Sequence, residues 1–137
     1  MDLVAREVVE ANFSRQPAMA LIGASINVLE PGSVEVSFPF RADLTQQDGF
    51  IHAGIISTAA DSACGYAALS SMPAGSDVLS VEFKLNLLRP AAGERFVARA
   101  QVLKPGKTLT AVRADVFALM GVQERLIAAM QATMIRR

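Results

Sequence analysis

Apolar and polar positions follow two periods along this chain, and the change from one to the other marks out its elements. Leu3, Val4, Glu7, Val8 and Ala11 recur at helical spacing and predict an amphipathic N-terminal helix over about residues 2–14, a packing element that can also wall a pocket. Residues 20–29 and 33–38 predict two strands joined across the turn Glu30-Pro31-Gly32, because Val34, Val36 and Phe38 alternate with Glu35 and Ser37. Thr45 to Gly49 is a polar loop, and His52 to Ser71 predicts a long buried helix, apolar nearly all round, stopped by Pro73 and Gly75. After it the period is two. Leu79, Val81, Phe83, Leu85 and Leu87 alternate with Ser80, Glu82, Lys84 and Asn86, which predicts a strand with one buried and one wet face. Residues 96–102, 108–118 and 126–134 predict three more strands around turns at 104–107 and near Gly121, with Met120, Met130 and Met134 in the core. These last four strands are expected to form an antiparallel meander. The fold class is α+β: a curved antiparallel sheet wrapped around a long buried central helix, in one domain over residues 1–137.

Composition narrows the function classes. Apolar residues make up 52% of the 137 and charged residues 19%, which excludes disorder. Thirteen basic residues cancel thirteen acidic ones, so no long-range field draws the chain onto nucleic acid. One cysteine and one histidine leave no expectation of a disulfide, a zinc finger or any other metal site. A reducing, cytoplasmic setting fits, and the N-terminus carries acidic residues where a secretory signal would not. Residues 50–76 hold a single charged residue, Asp61, but also serines, a threonine and glycines. The uninterrupted apolar length falls short of a membrane span, so no membrane association is expected.

Chemistry concentrates in Gln46-Gln47-Asp48-Gly49-Phe50-Ile51-His52-Ala53-Gly54 and, two turns later, Asp61; no glycine-rich phosphate loop and no GxSxG elbow is present. The first turn of a helix offers backbone N–H groups without internal partners, and the small residues Ala53 and Gly54 let a substrate oxygen approach them as an oxyanion hole. Asp61 in apolar surroundings has the raised basicity that a nucleophile or general base requires. His52 either points its ring at the same site or bonds to the helix start. Gln46 is a plausible amide donor to a carbonyl, and Lys104 and Lys107 share a turn that could hold a phosphate. Gly54 and Asp61 lie seven residues apart, about 10 Å along a helix axis. One carbonyl carbon cannot touch both, so a site using both implies a symmetric homodimer with the site at its interface.

The segment GFIHAGIISTAADSACGYAALS resembles the HGG-helix motif of hotdog-fold acyl-CoA thioesterases, nearest the PaaI-like (phenylacetic acid degradation) and 4-hydroxybenzoyl-CoA thioesterase group. The acid nine positions after the histidine is Asp61 and the amide six before it is Gln46. SVEFKLNLLRPA resembles the family's next strand, with Ser80 at its start, and VLKPGKTLTAVRADV its following hairpin. Ala53 departs from the pattern, standing where the family has glycine. The resemblance implies hydrolysis of an acyl- or aryl-acyl-coenzyme A thioester, with the Ala53 and Gly54 N–H groups and Gln46 on the thioester oxygen. Asp61 of a second chain would attack or activate water, and Ser80 would position it. It further implies substrate contacts from Cys64, Gly65, Lys104 and Lys107, no cofactor beyond the coenzyme A of the substrate, and a homodimer pairing into a homotetramer. Cys64 itself reads as a small core hydrophobe, not a nucleophile. A hotdog hydratase or dehydratase, and an acyl-CoA-binding protein without turnover, are the alternatives.

Overall fold

A computed structural model describes residues 2–137. Two short helices, α1 (Arg6–Ser14) and α2 (Pro17–Leu21), precede a hairpin of β1 (Ser25–Glu30) and β2 (Ser33–Pro39). A single 3-10 turn at Ala42–Leu44 leads through the polar loop into α3 (Ala53–Ser70). β3 (Val78–Leu87), β4 (Arg95–Lys104), β5 (Leu109–Met120) and β6 (Gln123–Arg136) follow. All six strands form one antiparallel sheet in the order β1-β2-β4-β5-β6-β3, curled around α3. This is the expected α+β hotdog arrangement. Among the described residues no helix is long and apolar enough to cross a membrane.

Alternation along the central strands accounts for the core. Val34, Val36 and Phe38 on β2, Phe96, Ala98 and Ala100 on β4, and Val112, Ala114, Val116 and Ala118 on β5 all face the helix and are buried. Small residues on α3 (Ala59, Ala60, Ala63, Cys64, Ala67) let helix and sheet approach closely. At its far end the buried Ser70 hydroxyl accepts from the Gly32 N–H (2.9 Å) and donates to the Ala67 carbonyl (2.8 Å), tying the helix to the β1–β2 turn. Gly32 sits at φ +85°, a conformation that the turn after Pro31 requires.

Five expectations need correction. The first strand begins at Ser25, not at residue 20, because Pro17 starts α2 and Gly23 (φ +71°) turns the chain out of it. α1 begins at Arg6; Leu3 instead bridges Pro73, and Val9 and Phe13, not Val8 and Ala11, face the core. The last four strands are not a simple meander. β3 pairs with β6 at the sheet edge, and the β3–β4 connection crosses beside the start of α3, where Ile51 N–H donates to the Ala91 carbonyl. Neither face of β3 is sealed within one chain, and Leu79, Val81, Phe83 and Leu87 are all exposed. Met130 and Met134 are in the core, whereas Met120, next to the β5–β6 turn, is exposed.

Candidate active site

His52 closes the loop onto the helix. Its backbone N–H donates to the Leu44 carbonyl (2.9 Å), and its ring Nδ1 accepts from the Gly54 N–H at 2.8 Å. The backbone N–H groups of Ile55 and Ile56 turn back to the His52 carbonyl. The Ala53 N–H alone among these first-turn donors has no acceptor among the described residues. In the loop ahead of it, Gln46 Oε1 accepts from the N–H groups of Asp48 (2.6 Å) and Phe50 (3.2 Å). Both partners are donors, which fixes the orientation of this amide and leaves Nε2 free to donate.

Gln46 and Ala53 line a cavity of about 410 Å³ whose other walls, Arg89 apart, are apolar: Phe50, Ile56, Leu87 and Ile127 among them. Gly54 does not line it. Of the two residues whose backbone donors were expected there, Ala53 lines the cavity, whereas the Gly54 N–H is given to His52 Nδ1, so that nitrogen of the ring faces the helix start.

Asp61 lies two turns on, in a different cavity of about 200 Å³ lined also by Asn12, Gln16, Gly65, Tyr66 and Ser80. The Ser80 hydroxyl donates to Asp61 Oδ1 at 2.6 Å, and its oxygen sits 3.4 Å from the Met134 sulfur. Ser80 reaches the carboxylate because it faces inward opposite Met134, just before a bulge in β3. The carboxylate is half-buried, not sealed in the core as expected, since Asp61, Ser62 and Gly65 form the stripe of α3 that the sheet leaves uncovered.

One wall of this cavity escaped the sequence reading. Ser62 donates to Gln16 Oε1 (3.3 Å), Gln16 Nε2 donates to the Tyr66 hydroxyl (3.0 Å), and Tyr66 donates to Asn12 Oδ1 (2.9 Å). Burial pushes the Tyr66 pKa up against the lowering effect of the Gln16 bond, so the phenol keeps its proton. The spacing of Asp61, Ser62, Gly65 and Tyr66 (i, i+1, i+4, i+5) puts all four on one helix face and is the signal that could have found it.

Cys64 is not brought to either cavity within one chain. It is fully buried on the sheet side of α3, lines neither cavity, and has its pKa pushed up to about 12 by burial and, secondarily, by the charge of Asp61. Lys104 and Lys107 sit exposed on the β4–β5 turn and line neither cavity; one chain does not bring them to the site. Gly65 does line the Asp61 cavity. Among the described residues no three His, Cys, Asp or Glu side chains cluster as metal ligands.

One chain thus holds two separate cavities, one lined by Gln46 and Ala53, the other by Asp61 and the Ser80 hydroxyl bonded to it. Comparison with known proteins shows the family. A thioesterase family protein from Silicibacter pomeroyi is similar over 93% of this chain and 94% of its own, at 55% identity and a TM-score of 0.91. The E. coli PaaI protein of the phenylacetic acid degradation operon shares the fold, with a TM-score of 0.83 at 23% identity over 93% of this chain and 88% of its own. A Saccharolobus solfataricus protein bearing a provisional esterase name is 34% identical over 87 residues, 64% of this chain. The match spans 61% of that relative's length. The Thioesterase superfamily pattern matches residues 48–124, from the loop ahead of α3 to the start of β6. The chain belongs to the thioesterase superfamily.

Proposed function

We propose that this protein is an acyl-coenzyme A thioesterase that releases a free acid and coenzyme A, with each active site shared between two copies. The observation that carries this reading is the placement of the two half-sites at opposite ends of β3. Val78, Leu79 and Ser80 at its start line the Asp61 cavity, and Leu87 at its end lines the Ala53 cavity. Seven residues of strand separate Ser80 from Leu87, about 23 Å. β3 is also an edge strand of ten residues with exposed Leu79, Val81, Phe83 and Leu87, the kind of edge that pairs with another strand. Antiparallel pairing of β3 with β3 of a second copy about a two-fold axis sets the Ser80 end of one against the Leu87 end of the other. Asp61 of one copy then faces the Ala53 cavity of its partner.

In that setting the Ala53 N–H and Gln46 Nε2 hold the thioester oxygen as negative charge develops on it. Asp61, with Oδ1 held by Ser80, takes a proton from water on Oδ2. The water oxygen bonds to the carbonyl carbon, the carbon–sulfur bond breaks as the oxyanion collapses, and the proton passes from Asp61 to the leaving sulfur. The apolar walls around Phe50, Ile56 and Ile127 suit a hydrocarbon or aryl acyl group. No metal or redox group takes part in this scheme.

The test is release of free thiol from a panel of aryl-acetyl, benzoyl and medium-chain acyl-coenzyme A substrates by the wild type and by Asp61→Asn. The expected result is turnover by the wild type and a loss of at least about 10²-fold in the variant, with binding kept. Tight binding without turnover would make it an acyl-CoA-binding protein. Water addition to an enoyl thioester without thiol release would make it a hydratase.

A further inference from the structure

We infer that His52 is a positioning residue whose ring caps α3 and thereby aims the Ala53 N–H, and that position 54 is glycine because this ring occupies the space of a side chain there. The inference rests on the thioesterase reading for its kinetic consequences but on geometry alone for the cap. His52 is held in extended backbone (φ −59°, ψ 138°) and uses every polar group but Nε2 to build the helix start. Its N–H is fixed to Leu44, its carbonyl accepts from Ile55 (2.9 Å) and Ile56 (3.2 Å), and Nδ1 accepts from Gly54. A ring nitrogen that accepts carries no proton, so the neutral ring holds its proton on Nε2. With those donors consumed, the N–H left over is that of Ala53, a residue that lines the same cavity as Gln46.

Gly54 supplies the independent observation. Its φ is not positive, so no left-handed backbone demands glycine there. A Cβ built on it would meet His52 Nδ1 at 3.0 Å and Cε1 at 3.3 Å, and, its chain neighbours and its own helix backbone aside, nothing else among the described residues within 4 Å. The crowding comes from the imidazole alone. The ring and the missing side chain are one device, and replacing either should act through the other.

Four variants test this: His52→Ala, His52→Asn, Gly54→Ala and the double variant His52→Ala/Gly54→Ala. Asparagine is a preferred cap that can accept from the same N–H without a ring. His52→Ala should lower kcat about tenfold or more while KM moves less than about twofold, because a loosened donor fails in the transition state. His52→Asn should recover most of that loss. Gly54→Ala should harm the wild-type background and add little to His52→Ala, where no ring remains to clash. Amide hydrogen exchange at residue 54 gives a readout free of activity: about fivefold faster in His52→Ala, near wild type in His52→Asn. Should the wild type release no thiol from any substrate, the thioesterase reading fails, and the exchange and melting-temperature cycles still decide the cap. The inference is overturned if His52→Asn restores slow exchange but stays as inactive as His52→Ala, since the ring would then act on substrate directly. It is also overturned if exchange at residue 54 ignores His52, or if the two substitutions are additive.

Discussion

Ser80→Ala removes one hydroxyl from the proposed acid and little else. The bond it deletes is short, 2.6 Å from Ser80 Oγ to Asp61 Oδ1, and its acceptor is a carboxylate. Hydrogen bonds to charged groups contribute about 1.5–3 kcal/mol. Ser80 is exposed and Asp61 only half-buried within one chain, so the lower end applies. If the bond holds Asp61 in the rotamer that meets water, about 1.5 kcal/mol of transition-state stabilisation is lost, roughly tenfold in kcat. The melting temperature should hardly move, because an exposed hydroxyl at the head of an edge strand packs little. The assay is thiol release by the wild type, Ser80→Ala, Asp61→Asn and the double variant, with kcat and KM separated. Groups that act as a unit are not additive, so Ser80→Ala should cost nothing further once Asp61 is Asn. A Ser80→Ala enzyme within twofold of wild-type kcat would refute the reasoning. So would a Ser80→Ala loss that multiplies onto the Asp61→Asn loss.

Three other predictions concern the scaffold. Ser70→Ala strips the buried Gly32 N–H of its acceptor and should destabilise the fold by about 1–3 kcal/mol, read as a lower urea midpoint at unchanged slope; an unchanged midpoint would mean that another acceptor or water replaces it. Cys64, with its pKa pushed up to about 12, should resist thiol reagents at pH 8 until the protein unfolds; rapid labelling of the native protein would contradict its burial. Asp77 has its pKa lowered by the Val78 N–H and by Arg137, so its contribution to stability is present above the ordinary carboxylate range and is lost as pH falls through its lowered folded value. The difference between wild type and Asp77→Asn should stay below about 1 kcal/mol at neutral pH, given the exposed ion pair, and close in acid; a difference that grows in acid has the wrong sign.

Local rules made much of this legible. The helical period and the stop at Pro73 and Gly75 located α3 to within a residue at each end, and period-two alternation located β2 and β4. The same alternation misled at β3, because apolar side chains on an edge strand read like a core face whether the cover comes from this chain or from another. Strand order is a property of the β3–β4 crossover, which no local pattern records. Asp61 stood out as the one charged residue of an otherwise apolar helix, and Ser80 through the family resemblance. The separation of the two half-sites follows from helix geometry. Asn12 and Gln16 were missed because they come from α1 and the turn into α2, far along the chain from Tyr66. The cap by His52 was one of two roles open to that ring, and choosing between them needed the direction of Nδ1.

The central claim is that neither copy works alone, and subunit complementation tests it most directly. Asp61→Asn disables the acid of a chain. Ala53→Pro deletes the backbone N–H assigned to the thioester oxygen at the first helical position, where proline is accepted and where His52 already has the extended backbone a following proline requires. Each variant alone should be nearly inactive. After mixing, unfolding and refolding at equal amounts, about half the dimers should be mixed, and each mixed dimer should hold one site with both defects and one with neither. The account predicts recovery of about one quarter of wild-type thiol release per chain. If the remixed protein forms mixed dimers yet stays as inactive as its parents, the acid and the donor act within a single chain and the shared site is wrong.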